Sequence, residues 1–259
     1  MFMCTMPLLK SIQGQTWSCT PDIPYLSQLT SVHLQFMRDS LDIPGLSKTL
    51  HALENMQDLS LELDNCLLFT VDTRNRYTAS KSPRLHSFKI KTLEVSLLGN
   101  TSDAVVRLLY DALEYLAPST VDISLKTSSN RVLLYNSNLH SFPYGSSIRL
   151  DIGQTCNILL ILKDVLQYCS ILHSIRIEAP LAFADGGCVP PEGSSLRHLR
   201  FENCDSILEK DVAFFVKEFL SPDSEIGLRS LEFVSCKRIS EDFLLEMQDE
   251  VGNGLKWTL

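Results

Sequence analysis

Two stretches near the end of the chain repeat one nine-residue pattern, and this repetition restricts the fold more than any other feature. Leu196-Arg-His-Leu199-Arg-Phe201-Glu-Asn-Cys204 and Leu228-Arg-Ser-Leu231-Glu-Phe233-Val-Ser-Cys236 both read L-x-x-L-x-F-x-x-C. Searching upstream for apolar residues at offsets 0, 3 and 5 finds further copies. Leu29, Val32 and Leu34 make one, and Met56, Leu59 and Leu61 make another; Leu85, Phe88 and Ile90, and then Leu172, Ile175 and Ile177, add two more. Two weaker copies, with Val121, Ile123 and Leu125 and with Ile148, Leu150 and Ile152, begin at Pro118 and Gly145 and lack the first apolar side chain. The starts at 29, 56, 85, 118, 145, 172, 196 and 228 lie 24 to 33 residues apart, so the chain reads as copies of one unit.

Strand geometry gives the unit its meaning. Apolar residues at offsets 3 and 5 share one face of a short strand, while offsets 2, 4 and 6 point the other way. The residues between strands must carry the chain back, and several have helical patterns. Ser102-Asp103 precedes an apolar stripe of Ala104, Val105, Leu108, Leu109, Ala112, Leu113 and Leu116, with Ser102 as the cap. Asn157 caps a helix over Ile158 to Tyr168, and Lys210 to Leu220 places Val212, Phe215, Val216 and Phe219 on one side. Ser240 with Glu241 and Asp242 opens a last helix through Met247, and Leu46 to Met56 is a shorter candidate. The polar stretches Thr70 to Arg84, Thr127 to Ser147 and Pro180 to Ser195 read as loop insertions. Cys66 and Cys156 fall two and three places later than the repeat pattern puts its cysteine, which points to looser turns.

A doubly wound sheet would bury its strands on both faces and make them nearly all apolar. Here offset 4 carries His33, Ser60, Lys89, Asp122, Arg149, Arg176, Arg200 and Glu232, so one face is expected to meet water. The reading is therefore an α/β solenoid, a horseshoe of about eight degenerate repeats. Its parallel concave sheet is backed by helices or irregular segments on the convex side. One domain spans 1–259: a cap or degenerate repeat over 1–28, repeats over 29–236 and a cap over 237–259. Leu9-Lys-Ser-Ile12 looks like a damaged earlier copy, and Trp17 and Trp257 are expected to cover the two ends.

The L-x-x-L-x-F-x-x-C copies and their period resemble the leucine-rich-repeat region of F-box proteins, in particular the divergent fungal F-box/leucine-rich-repeat-like proteins. The resemblance covers Leu29 to Cys236. It implies a substrate-recognition role in a ubiquitin ligase, in which an N-terminal helical F-box docks a Skp-type adaptor and the repeats hold the substrate. The segment with Pro7-Leu8-Leu9 has no L-P-x-E pattern, so the adaptor is expected only if a longer chain supplies the F-box.

A net charge of −8 without a block of basic residues argues against nucleic acid as the partner. No apolar run reaches the roughly 18 residues of a membrane span, and the first ten residues lack a secretory signal. A cytoplasmic or nuclear setting follows as the expectation. The eight cysteines include no C-x-x-C pair and read as core residues. Phosphate-loop, nucleophile-elbow and dinucleotide motifs are missing, so no catalytic residue, cofactor or metal is expected.

The function expected is that of a non-enzymatic scaffold that binds a partner protein, whose identity the residues do not encode. The candidate contact residues lie on the open strand face: His33, Lys89, Arg149, Asp151, Arg176, Glu178, Arg200, Glu202 and Glu232. His86, His173 and His198 are placed on the same face. Arg149, Arg176 and Arg200 form a column beside Asp151, Glu178 and Glu202. That arrangement is either a self-neutralising ladder or a strip of guanidinium forks for a partner's carboxylates. The alternative function is a non-catalytic regulator of an enzyme, a GTPase-activating or inhibitor-like leucine-rich-repeat protein.

Overall fold

Alternating burial, residue by residue, shapes the molecule. The computed structural model describes residues 11–15, 28–38, 40–68, 84–129, 132–185, 194–220 and 227–259. In chain order the elements are β1 (Ser11–Gln15), β2 (Ser31–Met37), β3 (Ser40–Leu41), α1 (Ile43–His51), β4 (Asp58–Asp64), β5 (Leu67–Leu68) and β6 (Phe88–Gly99). Next come α2 (Asp103–Leu113), β7 (Leu116–Thr127), β8 (Ser147–Ile152), β9 (Cys156–Asn157), α3 (Ile158–Tyr168) and β10 (Ser174–Glu178). The chain continues through β11 (Ala182–Phe183), β12 (His198–Glu202), α4 (Glu209–Phe219), β13 (Ser230–Val234), α5 (Glu241–Val251) and β14 (Leu255–Thr258).

Ten of these strands form one sheet in the order β1-β2-β4-β6-β7-β8-β10-β12-β13-β14, and every pairing is parallel. Strand order thus follows chain order. Crossovers of one hand that always step the same way return the chain over the same face each time. Among the described residues, helices and loops therefore cover one face and leave the other bare. The pairs β3–β5 and β9–β11 are short parallel contacts within the returning segments.

Offset 3 forms the central row of the core: Val32, Leu59, Leu93, Val121, Ile148, Ile175, Leu199, Leu231 and Leu255 lie in register, each at most 2 % exposed. Burying each such side chain is worth roughly 1.5–3 kcal/mol. A slip of one residue would turn the row to water, so the row sets the register.

Backbone bonds mark the two ends of the unit. At strand entry two successive N–H groups donate to one carbonyl of the preceding neighbour: Gln57 and Asp58 to Thr30, Lys91 and Thr92 to Gln57, and His173 and Ser174 to Ser146. Arg197 and His198 do the same to His173, and Arg229 and Ser230 to Arg197. At strand exit a residue turns left-handed: Arg38, Asn65, Gly99, Asn203 and Ser235 have φ between 50° and 58°. The turn sends Cys66, Cys204 and Cys236 inward, where their thiols donate to the carbonyls of Phe36, Ile177 and Phe201 at 3.4, 3.5 and 3.9 Å. Cys66 comes two places late because β4 has seven residues where β12 and β13 have five.

Entry bonds and register correct the third copy. Leu93 and Val95 stand opposite Leu59 and Leu61, so that unit runs Ile90-x-x-Leu93-x-Val95 instead of starting at Leu85. Leu85 is 57 % exposed. Two overlapping apolar triplets share Ile90, and only the later one continues to Leu97, which gives a third buried position. The expected N-terminal remnant is present as β1, with Ile12 opposite Val32. At the other end the expected cap contains a further strand, β14, which sets Trp257 opposite Phe233, half-buried against the core. Trp17 lies outside the described residues.

The caps expected at Ser102, Asn157 and Ser240 accept from the backbone N–H of Val105, Leu159 and Phe243. The first helix starts at Ile43 rather than Leu46, because Asp42 caps it through the Gly45 N–H and Pro44 suits the first turn. No helix separates β7 from β8 among the described residues. There Leu133, Leu134 and Phe142 enter the core, Phe142 stacks on Tyr110 with ring centres 3.9 Å apart, and the Tyr110 hydroxyl donates to Leu133 O. The segment read as an insertion thus fills a helix's place. Residues 70–83 and 186–193 of the other two stretches lie outside the described residues.

Candidate functional site: the open face of the sheet

Side chains at offsets 2, 4 and 6 project from the bare face, and the parallel register stacks them into rows about 4.8 Å from strand to strand. Row 4 runs His33, Ser60, Glu94, Asp122, Arg149, Arg176, Arg200, Glu232 and Lys256. Row 6 runs Gln35, Glu62, Ser96, Ser124, Asp151, Glu178, Glu202, Val234 and Thr258.

From β8 to β13 the charges are spent on one another. Arg149 lies between Asp122, at 3.5 Å, and Glu178, at 3.4 Å. Arg176 reaches Glu202 at 2.5 Å, and Arg200 reaches Glu202 and Glu232 at 3.4 and 3.3 Å. The rule is diagonal for the first two arginines: each meets the acid one strand on and two residues along. Asn203 donates to Glu178, and Lys126 with Ser124 holds Asp151. The Nε of each arginine is buried without a hydrogen-bond acceptor. The arginine column and its acids are therefore a self-neutralising ladder, in which each guanidinium already holds at least one carboxylate.

The earlier strands differ. Glu94 is exposed and makes no ion pair among the described residues, and it sits in register beside Asp122. Burial raises the Asp122 carboxyl above its ordinary range; Arg149 opposes this, while Glu94 and Asp151 add to it. Asp58 accepts from the Thr92 hydroxyl and Glu62 from the Gln35 amide, both neutral donors. Among the described residues, Asp58, Glu62 and Glu94 thus present negative charge without a cation of their own.

Of the residues expected here, Arg149 joins Glu178, and Arg176, Arg200, Glu202 and Glu232 form a second linked set, while Asp151 is held apart from the arginines by Lys126 and Ser124. His33 stands on the same face but far along it, with Nδ1 on the Ser60 hydroxyl at 2.9 Å. Lys89 does not belong. It pairs with Ala117 near the start of β6, and Glu94 holds the row position expected for it. The same shift places Thr92 beside Asp58 at offset 2. His86 leaves the face as well and stacks on Tyr144 with ring centres 3.5 Å apart. His173 precedes β10, and only His198 joins His33 on the rows. Continuing the alternation Leu93-Val95-Leu97 was the available signal for Glu94.

The five described cysteines are unbridged and buried, and burial pushes the Cys156 thiol up to about 11, away from nucleophilic chemistry at neutral pH. Among the described residues no group of three or more potential metal ligands converges, and no helix is long and apolar enough to cross a membrane. No family model matches the chain, and no curated protein matches it, so the reading of this face stands on its own geometry.

Proposed function

We propose that the chain is a leucine-rich-repeat solenoid that acts as a non-catalytic scaffold and binds a partner protein across the bare sheet face. One observation carries the reading: ten parallel strands in chain order, of which the nine from β2 to β14 bury a continuous row of side chains on one side. An uncovered face of this kind spans about 43 Å across the strands and about 13 Å along them. That is roughly 600 Å², somewhat below the ~800 Å² that each partner contributes to a standard interface. Its side chains are polar, ordered by mutual hydrogen bonds, and mounted on strands rather than loops, which keeps the ordering cost of binding low.

By the family resemblance, the captured protein is a substrate for ubiquitin transfer, with a Skp-type adaptor recruited by an F-box in a longer chain. Recovery of such an adaptor with the full-length protein supports this step, and its reproducible absence removes it. The scaffold itself is tested by a photo-crosslinking residue placed at Ser174 on the face or at Leu160, exposed on α3. Discrete adducts in cell extract from position 174 alone are expected. Equal capture from both positions, or none, removes the face as the docking surface.

A further inference from the structure

We propose that the segment occupying this face is basic, an extended stretch of partner chain bearing lysine or arginine, seated over β4, β6 and β7. This rests on the reading of the face as a protein-binding surface and adds the chemistry of the occupant.

The arginine ladder argues first. A partner carboxylate approaching Arg149, Arg176 or Arg200 meets guanidinium groups already held by Asp122, Glu178, Glu202 and Glu232. It must displace an internal acid and leave that acid unpaired beside it, so little is gained. The expectation that these arginines serve a partner's carboxylates is therefore replaced.

The charge balance argues second. Offsets 2, 4 and 6 along the sheet carry eight carboxylates (Asp58, Glu62, Glu94, Asp122, Asp151, Glu178, Glu202 and Glu232) against four permanent cations (Arg149, Arg176, Arg200 and Lys256). The surplus is not spread evenly. It collects on three adjacent strands, where Glu94 faces Asp122 in register and Asp58 and Glu62 stand one strand back. Neighbouring strands are about 4.8 Å apart and alternate residues about 6.6 Å apart. An extended basic segment can present ammonium or guanidinium groups at these intervals. Each contact relieves like-charge repulsion that the folded protein otherwise carries between Glu94 and Asp122. Charge complementarity of this sort selects the partner and speeds its arrival more than it deepens affinity.

The test uses the full chain and three fluorescein-labelled 12-residue peptides, alternating Lys–Ser, Glu–Ser and Gln–Ser, with binding read by anisotropy in about 0.1 M salt. The Lys–Ser peptide is expected to bind and to lose about tenfold in affinity (about 1.4 kcal/mol) in the double variant Glu62→Gln, Glu94→Gln. The control is Glu246→Gln, Glu250→Gln on the exposed side of α5, which changes net charge equally. It is expected to stay within twofold. Equal losses in the two double variants mean general attraction to an acidic protein and overturn the proposal, as does no binding of the Lys–Ser peptide. Tight binding of the Glu–Ser or Gln–Ser peptide that an Arg176→Gln change weakens overturns the basic occupant while the docking face survives. Failure of the face itself shows separately, as an absence of adducts from position 174.

Discussion

Arg176 meets the carboxylate of Glu202 at 2.5 Å, across one strand boundary and two residues further along, while the same carboxylate also stands 3.4 Å from Arg200. One acid thus separates two guanidinium groups stacked about 4.8 Å apart. The two partners should therefore differ in their effect. Arg176→Gln removes one partly exposed pair and is expected to cost under about 1 kcal/mol. Glu202→Gln leaves two adjacent cations facing each other and is expected to cost about 1–2 kcal/mol. Urea unfolding of both variants measures this, and 1 M salt should narrow the gap. Equal losses, insensitive to salt, would mean that Glu202 does not mediate between the two arginines.

The aromatic spine of the last repeats carries a larger share. Phe201 is fully buried, its ring centre 4.8 Å from Phe215 on α4 and 5.3 Å from Phe233 on the next strand. It joins a strand, a helix and the following strand in one contact set. Phe201→Ala is expected to cost about 3–5 kcal/mol. Hydrogen exchange should show the loss of protection concentrated in β10, β12 and β13. Uniform loss along the whole sheet would show that the repeats unfold as one unit rather than through neighbours.

Much of this was legible from residue spacing, and the exceptions have identifiable causes. The core rows at Leu59, Ile175, Leu199 and Leu231 follow from offsets 3 and 5, because the side-chain period of a strand is fixed. Helix starts at Ser102, Asn157 and Ser240 were visible since a capping side chain works locally. In the third copy Phe88 and Ile90 imitate the pattern, and only pairing with Leu59 and Leu61 decides between two local candidates. Counting from Leu85 puts Lys89 on the face, whereas counting from Ile90 puts Glu94 there. The ladder's columns were legible, but its diagonal pairing was not. Whether Arg176 reaches Glu178 or Glu202 depends on side-chain lean across neighbouring strands, which no spacing rule contains. The segment around Phe142 reads as polar and looped, yet it enters the core through a few apolar residues without any period.

Gly145 shows why one repeat lacks its first apolar residue. A Cβ there would lie 3.0 Å from the carbonyl oxygen of Pro118 and 3.0 Å from Cγ2 of Val121. The position equivalent to Leu172 and Leu196 is therefore closed by close approach of the preceding strand. Gly145→Ala is expected to destabilise by about 1–3 kcal/mol through overpacking, although alanine generally lowers the entropy of the unfolded chain. Thermal unfolding checks the sign. A stabilised variant would mean that β7 and β8 can separate there without loss.

Asp122 links the ladder to the uncompensated acids, and it should leave a pH signature. Its carboxyl is raised above the ordinary value, first by burial and further by Glu94 and Asp151, with Arg149 opposing. For a group raised in the folded state, the favourable contribution is complete below the unfolded pKa of about 3.9. It is lost as pH rises through the higher folded value, because the fold then holds a charge it disfavours. Asp122→Asn removes this titration and leaves the other carboxylates, common to both proteins, in place. The stability of the variant relative to the parent is therefore expected to increase between pH 4 and 7, and urea midpoints at half-unit steps would trace it. Parallel curves would show that Arg149, still held by Glu178 in the variant, balances the cost of burying Asp122 in full. A falling difference would show that the Asp122–Arg149 contact outweighs burial, and that the acidic zone carries less internal repulsion than its geometry indicates.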